Sequence, residues 1–268
     1  MHFAEAGEGD PILLLHGWPQ HHYMWHKVIE RLAGRYRLIA PDLRGCGWTD
    51  APEDGYDGET FARDQVALLD ALELDRANVL GHDWGGWTAL LLGLRYPQRV
   101  ERLLVCNAPH PWPRLHPRLA VQMPMSLYAA MNAAPGLGTL GHRTGLMVRT
   151  VLRLGAAGDP FSDEEIATYT DRLREPARAR GMSKLYRYYH RVVGEAVRGR
   201  FRDERLAAPT VLLFGKRDRA INYRIVDAPL ARHADDMAVE FVTDAGHFIV
   251  DERPDLVSDR ALAHFSAP

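Results

Sequence analysis

The stretch Ala77-Asn-Val-Leu-Gly-His-Asp-Trp-Gly-Gly-Trp87 constrains the fold more than any other part of the chain. A short apolar run, Val79-Leu80, stops at Gly81. Gly81-x-Asp83-x-Gly85 follows, and then a helical-looking segment from Thr88 to Arg95. A strand that reverses sharply into a helix, with glycines on both sides of one central residue, is a nucleophile elbow, which lifts the central side chain out of a sheet. Gly81 and Gly85 are expected to remove side chains that would clash in the turn and to tolerate its strained backbone. The usual central residue is serine. Here it is Asp83.

The surrounding rhythm supports a sheet of that kind. Ile12 to Leu15, Arg37 to Ala40, the Val79-Leu80 run and Val100 to Cys106 read as short, continuous apolar strands, as in parallel sheets covered on both faces. Helical segments separate them: one ending near Leu32, one from Thr60 to Leu74 with Ala62, Val66, Leu69 and Leu72 on one stripe, and the elbow helix ending at Tyr96-Pro97. This alternation implies a parallel sheet with right-handed crossovers. At Asn107-Ala-Pro-His-Pro-Trp-Pro113 it breaks, and to about Ala208 only helical segments follow. Strands resume at Thr210 to Phe214 and Ala238 to Val242, before a last helix from Pro254 to Phe265. The expected architecture is α/β, a mostly parallel doubly wound sheet. Residues 1–108 and 209–268 would form its core, and 109–208 an inserted helical lid.

A chain of 268 residues is long enough for such a core, and a net charge of −2 gives no electrostatic case for nucleic acid or anionic membrane. From Arg114 to Arg205 there are 16 basic residues against 9 acidic ones, an excess read as a solvated helical layer. The first residues lack the pattern of a signal peptide, and the aliphatic runs are too short to span a membrane. Cys46 and Cys106 form no CxxC, so a cytoplasmic location is expected. The glycine-rich Pro41-Asp-Leu-Arg-Gly-Cys-Gly47 lacks the spacing of a phosphate-binding loop and reads as a structural turn. His16, His21, His22 and His26 raise the question of a metal, with His22 and His26 at i, i+4. No neighbouring carboxylate or cysteine completes a set, so structural roles and no metal are expected.

Asp83, Asp218 and His247 each follow a strand, at the edge where α/β sheets bind ligands. Their order along the chain, nucleophile, acid, histidine, is that of a hydrolase triad. Asp218 could alternatively cap a following helix. An aspartate nucleophile changes what can be attacked: on saturated carbon, serine would leave an inert ether, whereas Asp83 would leave an alkyl ester that water can open at its carbonyl. The backbone N–H groups of Trp84 and Trp18 are the expected oxyanion-hole donors for that second step.

Taken together, His16-Gly-Trp-Pro19, Asp42-Leu-Arg-Gly-Cys-Gly47, Gly81-His-Asp-Trp-Gly-Gly86, Gly215-Lys-Arg-Asp218 and Gly246-His247 resemble the epoxide hydrolase branch of the α/β-hydrolase superfamily. The resemblance implies two lid tyrosines that bind and protonate the epoxide oxygen. Tyr169, in Asp163-Glu-Glu-Ile-Ala-Thr-Tyr, and Tyr128, seven residues before Pro135-Gly136, match them; the Tyr186, Tyr188 and Tyr189 cluster reads as packing. It implies no cofactor, a small lipophilic substrate and water, and a monomer or homodimer. It also implies a first, edge strand, expected to be missing here, and a smaller or more polar residue than Trp48. In this family the triad acid can instead follow the strand ending at Cys106, but Asn107 there is an amide.

Two alternatives stay open. Haloalkane dehalogenases also follow the aspartate with tryptophan, but often place a halide-binding asparagine at the Trp18 position; the haloacetate branch usually has arginine at position 84. A catalytically silent hydrolase fold serving as a small-ligand receptor would have no need for all three of Asp83, Asp218 and His247.

Overall fold

The structure is a computed structural model, and it describes residues 1–114 and 123–266. Seven strands form one sheet in the order β1-β3-β2-β4-β5-β6-β7: β1 (Phe3–Ala6), β2 (Asp10–Leu15), β3 (Tyr36–Pro41), β4 (Ala77–His82), β5 (Val100–Cys106), β6 (Thr210–Gly215) and β7 (Met237–Val242). Every pairing is parallel except that of β1, which runs antiparallel beside β3. The expectation of a missing edge strand is corrected by β1, which the sequence reading passes over because Phe3-Ala-Glu-Ala offers a single large apolar residue. β1 forms one edge of the sheet.

The apolar runs form the centre of this sheet. All six residues of β4 are buried, which requires cover on both faces, and Ile12 to Leu15 of β2 are fully enclosed. Helices α1 (His26–Leu32) and α9 (Pro254–Phe265) pack on each other, as do α2 (Gly58–Ala71) and α3 (Trp84–Arg95). Asp57 caps α2, its side chain accepting from the Thr60 N–H at 2.9 Å. Between β5 and β6 lie α4 (Met123–Ala133), α5 (Leu137–Thr144), α6 (Leu146–Gly155), α7 (Asp163–Leu173) and α8 (Pro176–Val197), with α8 packed against α4 and α5.

Part of the insert's arginine excess is structural. Arg172 Nε donates to Gly47 O at 3.0 Å, and Arg178 Nη1 to Cys46 O at 3.2 Å and Thr49 O at 2.5 Å, fastening α7 and α8 to the glycine-rich turn. No helix among the described residues is long and apolar enough to cross a membrane.

Candidate active site

Sheet register determines which loops meet. Leu15 lies opposite Gly81, Gly81 opposite Val105, Val105 opposite Leu212, and Leu213 opposite Glu240. The carboxyl ends of five strands are therefore level, and the residues just beyond them converge: Trp18, Asp83, Asn107, Asp218 and His247. Asp83 is the first residue after β4 and has φ 50°, a left-handed conformation that costs a non-glycine residue on the order of 1–3 kcal/mol. Two backbone bonds hold it there, from its own N–H to Cys106 O at 3.1 Å and from the Trp87 N–H to its carbonyl at 2.9 Å. The strain falls on the central aspartate, while Gly81 and Gly85 serve close packing. A Cβ on Gly85 would fall on the Leu15 carbonyl, and one on Gly81 would sit 2.5 Å from Gly85 O.

His247 Nδ1 is 2.9 Å from Asp218 Oδ2, and its Nε2 is 4.0 Å from Asp83 Oδ1. The Asp218 side chain is fully enclosed, and Oδ2 also accepts from Asn107 Nδ2 at 2.7 Å. Its Oδ1 accepts the N–H groups of Ala220 and Ile221, so the carboxylate both caps the following turn and holds the imidazole. The backbone of His247 is pinned from two directions. His82 Nε2 lies 2.8 Å from its carbonyl, and its N–H donates to Gly155 O, at the end of α6, at 3.1 Å. Across the site, the Trp18 N–H donates to Asp83 Oδ2 at 3.1 Å, and the Trp18–Pro19 peptide is cis.

A cavity of about 300 Å³ opens over Asp83 and His247. Trp18, Trp84 and Trp87 line it from the sheet side; Tyr128 of α4 and Tyr186 and Tyr189 of α8 line it from the insert. The Tyr128 and Tyr186 hydroxyls are 3.3 Å apart, and the Trp18 ring packs against both phenols at centroid distances of 5.7 and 5.3 Å. Tyr128 therefore lines the same cavity as Asp83 and His247.

Tyr169 does not line this cavity. Its ring is buried among His21, Tyr23 and Phe161, on the inward stripe of α7 with Ile166 and Leu173. The acidic run before it is a helix start. Ser162 Oγ accepts from the Glu165 N–H and Glu165 Oε2 from the Ser162 N–H, a reciprocal cap that says nothing about chemistry. Tyr186, read from the sequence as packing, lines the cavity beside Tyr128 instead. Its sequence signal was the face it begins, since Tyr186, Tyr189, Val193 and Val197 recur at helical spacing and all reach the cavity. Trp48 is exposed at the surface, with Arg172 over its ring.

A sequence family described as alpha/beta hydrolase fold matches residues 10–254. The soluble epoxide hydrolase of Corynebacterium sp. (strain C12) is 31% identical over 278 residues, covering 99% of this chain and 93% of that protein. The chain is an α/β-hydrolase of the epoxide hydrolase-like branch. The hydrolase is also similar to an epoxide hydrolase, CorEH, solved without ligand, with TM-score 0.84 and 28% identity over 99% of this chain and 94% of that one. Haloalkane dehalogenase 2 of Mycobacterium bovis is 26% identical to it, over 99% of this chain and 91% of that protein.

Burial sets the ionisation of the hydrolase's polar groups. It pushes the Asp83 carboxyl up from 3.8 to about 6, against the pull of His247 and the N–H groups of Trp84 and Trp18. For His247 burial acts downwards, but the charges of Asp218 and Asp83 and the Asp218 hydrogen bond outweigh it and raise the imidazole from 6.5 to about 9. Burial drives the Tyr128 and Tyr186 phenols well above their ordinary 10, so both are neutral donors near neutral pH.

One contact in the hydrolase gave no sequence signal. His142 of α5 accepts from the Trp18 Nε1–H at 3.1 Å while its Nδ1 lies against Gly138 O, tying the indole to the insert. The one group of possible metal ligands among the described residues, His2, His22 and Asp42, is outside this cavity.

Proposed function

We propose that this hydrolase opens a lipophilic epoxide to a vicinal diol through an ester on Asp83. The observation that carries the proposal is the Tyr128–Tyr186 hydroxyl pair, 3.3 Å apart, in the same cavity as Asp83 and His247. An Asp83 oxygen attacks one epoxide carbon, the carbon–oxygen bond breaks, and the released oxide takes a proton from the phenol pair. Without that proton the leaving group would be a free alkoxide. In the second step His247, oriented by Asp218, removes a proton from water, and the hydroxide attacks the Asp83 ester carbonyl. The N–H groups of Trp18 and Trp84 form the oxyanion hole for the resulting charge; in other enzymes one such donor is worth about 3–4 kcal/mol. Collapse restores the Asp83 carboxylate and frees the diol, and the proton taken from water replaces the one lost by the phenol.

The charges support this order of events. Ester formation removes the negative charge of Asp83, one of the influences that raise His247, and so moves the imidazole towards its free base while the larger pull of Asp218 stays. A halide-releasing reading, suggested by the dehalogenase relative, wants two N–H donors turned to a halide. The Trp18 indole N–H is already committed to His142. The named lining of the cavity includes no lysine or arginine, which fits a neutral, lipophilic substrate. The test is diol formation from styrene oxide and stilbene oxides, set against halide release from bromo- and chloroalkanes and haloacetate, in wild type and Asp83→Ala. Diol formation lost in the variant supports the proposal; halide release without diol replaces it with the dehalogenase reading; neither product from folded enzyme favours a ligand receptor.

A further inference from the structure

Three segments far apart in the sequence bring two imidazoles onto one carboxylate. His2 Nδ1 lies 2.7 Å from Asp42 Oδ2, and His22 Nδ1 lies 2.8 Å from Asp42 Oδ1. The backbone fixes all three residues. Phe3 pairs with Pro41 in the β1–β3 ladder, the Asp42 N–H donates to His2 O at 2.9 Å, and the His2 N–H donates to Thr49 Oγ1 at 2.9 Å. Each carboxylate oxygen also accepts one backbone N–H at 2.9 Å, from His22 at Oδ1 and from Trp48 at Oδ2. The Asp42 side chain is fully enclosed, whereas those of His2 and His22 are 39% and 19% exposed. A buried carboxylate is thus held rigid, with one imidazole nitrogen in front of each oxygen and an open path from solvent along His2.

We propose that His2, His22 and Asp42 bind a divalent transition-metal cation of the Zn²⁺ type. Hydrogen bonds from the His22 and Trp48 N–H groups and from the two imidazoles stabilise the enclosed Asp42 carboxylate, and a cation beside it would add a direct Coulombic attraction. Two imidazole nitrogens and one carboxylate form a mixed nitrogen–oxygen set, suited to Zn²⁺, Co²⁺ or Ni²⁺. Mg²⁺ and Ca²⁺ prefer oxygen throughout. Tetrahedral metal–ligand bonds of roughly 2.0–2.2 Å place ligand atoms about 3.4 Å apart, so the two nitrogen–oxygen distances must open by about 0.6–0.7 Å, in a set whose ligand atoms already lie within 4.8 Å of one another. The partly exposed His2 ring can turn on its fixed backbone to give that much. Each ring presents its Nδ1 lone pair by moving the proton to Nε2, so neutral rings release no proton overall. Water completes the coordination on the exposed side.

The sequence hid this set because its members are spread over residues 2, 22 and 42. The i, i+4 pair His22 and His26 parts company instead: His26 Nδ1 contacts Tyr23 O, and its ring stacks on Tyr23. The cation would tie the start of β1 to the loops after β2 and β3. Trp18 lies four residues before His22 in the first of these loops, so the effect is a staple beside the reaction site and takes no part in the chemistry.

The test uses the full-length protein without a histidine tag, freed of metal by chelation and titrated with Zn²⁺ by calorimetry and with Co²⁺ by visible absorption. One equivalent of Zn²⁺ is expected to bind, at least tenfold more weakly in His2→Ala and in His22→Ala, with the Co²⁺ band lost in both. Zn²⁺ should raise the melting temperature of wild type and leave that of His22→Ala unchanged. Circular dichroism of His2→Ala, altered only in a partly exposed side chain, shows that the fold persists. Absence of stoichiometric Zn²⁺ binding, or equal affinity in wild type and both variants, overturns the proposal.

Discussion

Asp83→Asn should make the protein more stable. In the fold, burial holds the Asp83 carboxyl at about 6, against 3.8 for the free side chain. The folded protein therefore binds this proton more tightly than the unfolded chain does. Stability falls as pH rises from about 4 to about 6 and stays lowered above that. At roughly 1.4 kcal/mol per unit, ionised Asp83 costs the fold about 3 kcal/mol. The attraction of His247 is already contained in this net figure, because it acts against burial in setting the same shift. Asparagine has the same shape, keeps an oxygen for the Trp18 N–H and carries no charge. Urea unfolding followed by circular dichroism should give a variant about 3 kcal/mol more stable than wild type at pH 8, and equal to it near pH 4. In melting temperature this is roughly 2–4 °C per kcal/mol for a chain of about this size. A wild type as stable as the variant at pH 8 would refute the idea that this carboxylate is held ionised at a cost.

The same titration should appear in kinetics: kcat/KM needs ionised Asp83, so it should fall about tenfold per pH unit below pH 6. Full activity at pH 4.5 would contradict this. Tyr128→Phe and Tyr186→Phe each remove one donor to the developing oxide, worth about 1.5–3 kcal/mol, and should slow ester formation by one to two orders of magnitude in stopped-flow tryptophan fluorescence. Tyr169→Phe should leave that rate within about twofold; an effect as large as that of Tyr186→Phe would restore the sequence-based pair. Asp218→Asn should slow ester hydrolysis, and adding Asn107→Asp should recover at least about tenfold of it, since Asn107 Nδ2 already lies 2.7 Å from the Asp218 carboxylate. A double variant no faster than the single one would contradict that placement.

The chain displays its sheet openly, because central strands must be apolar on both faces. Ile12 to Leu15 and Val100 to Cys106 announce themselves by composition. Asp83, Asp218 and His247 are legible for a related reason, since a strand end followed by a glycine-rich turn marks the edge on which parallel sheets carry their ligands. β1 carries no such mark: an edge strand of four residues with one large apolar side chain has only its backbone pairing to define it.

The tyrosines divide along the same line. A local match favoured Tyr169, yet the direction of a helical side chain depends on which face of the helix is buried. Ile166 and Leu173 turn Tyr169 away from the cavity. Tyr186 was readable only as the first member of a face that continues through Tyr189, Val193 and Val197. His142 and the His2–His22–Asp42 group depend on contacts between distant segments, which leave no periodic trace in the chain.

The covalent route is tested most directly by the intact mass of a His247→Gln variant mixed with styrene oxide under single-turnover conditions. With ester formation preserved and hydrolysis blocked, the protein should gain the mass of one epoxide molecule, and peptide mapping should place it on Asp83. An unshifted mass, with wild type converting the same substrate, would contradict an Asp83 ester as the intermediate.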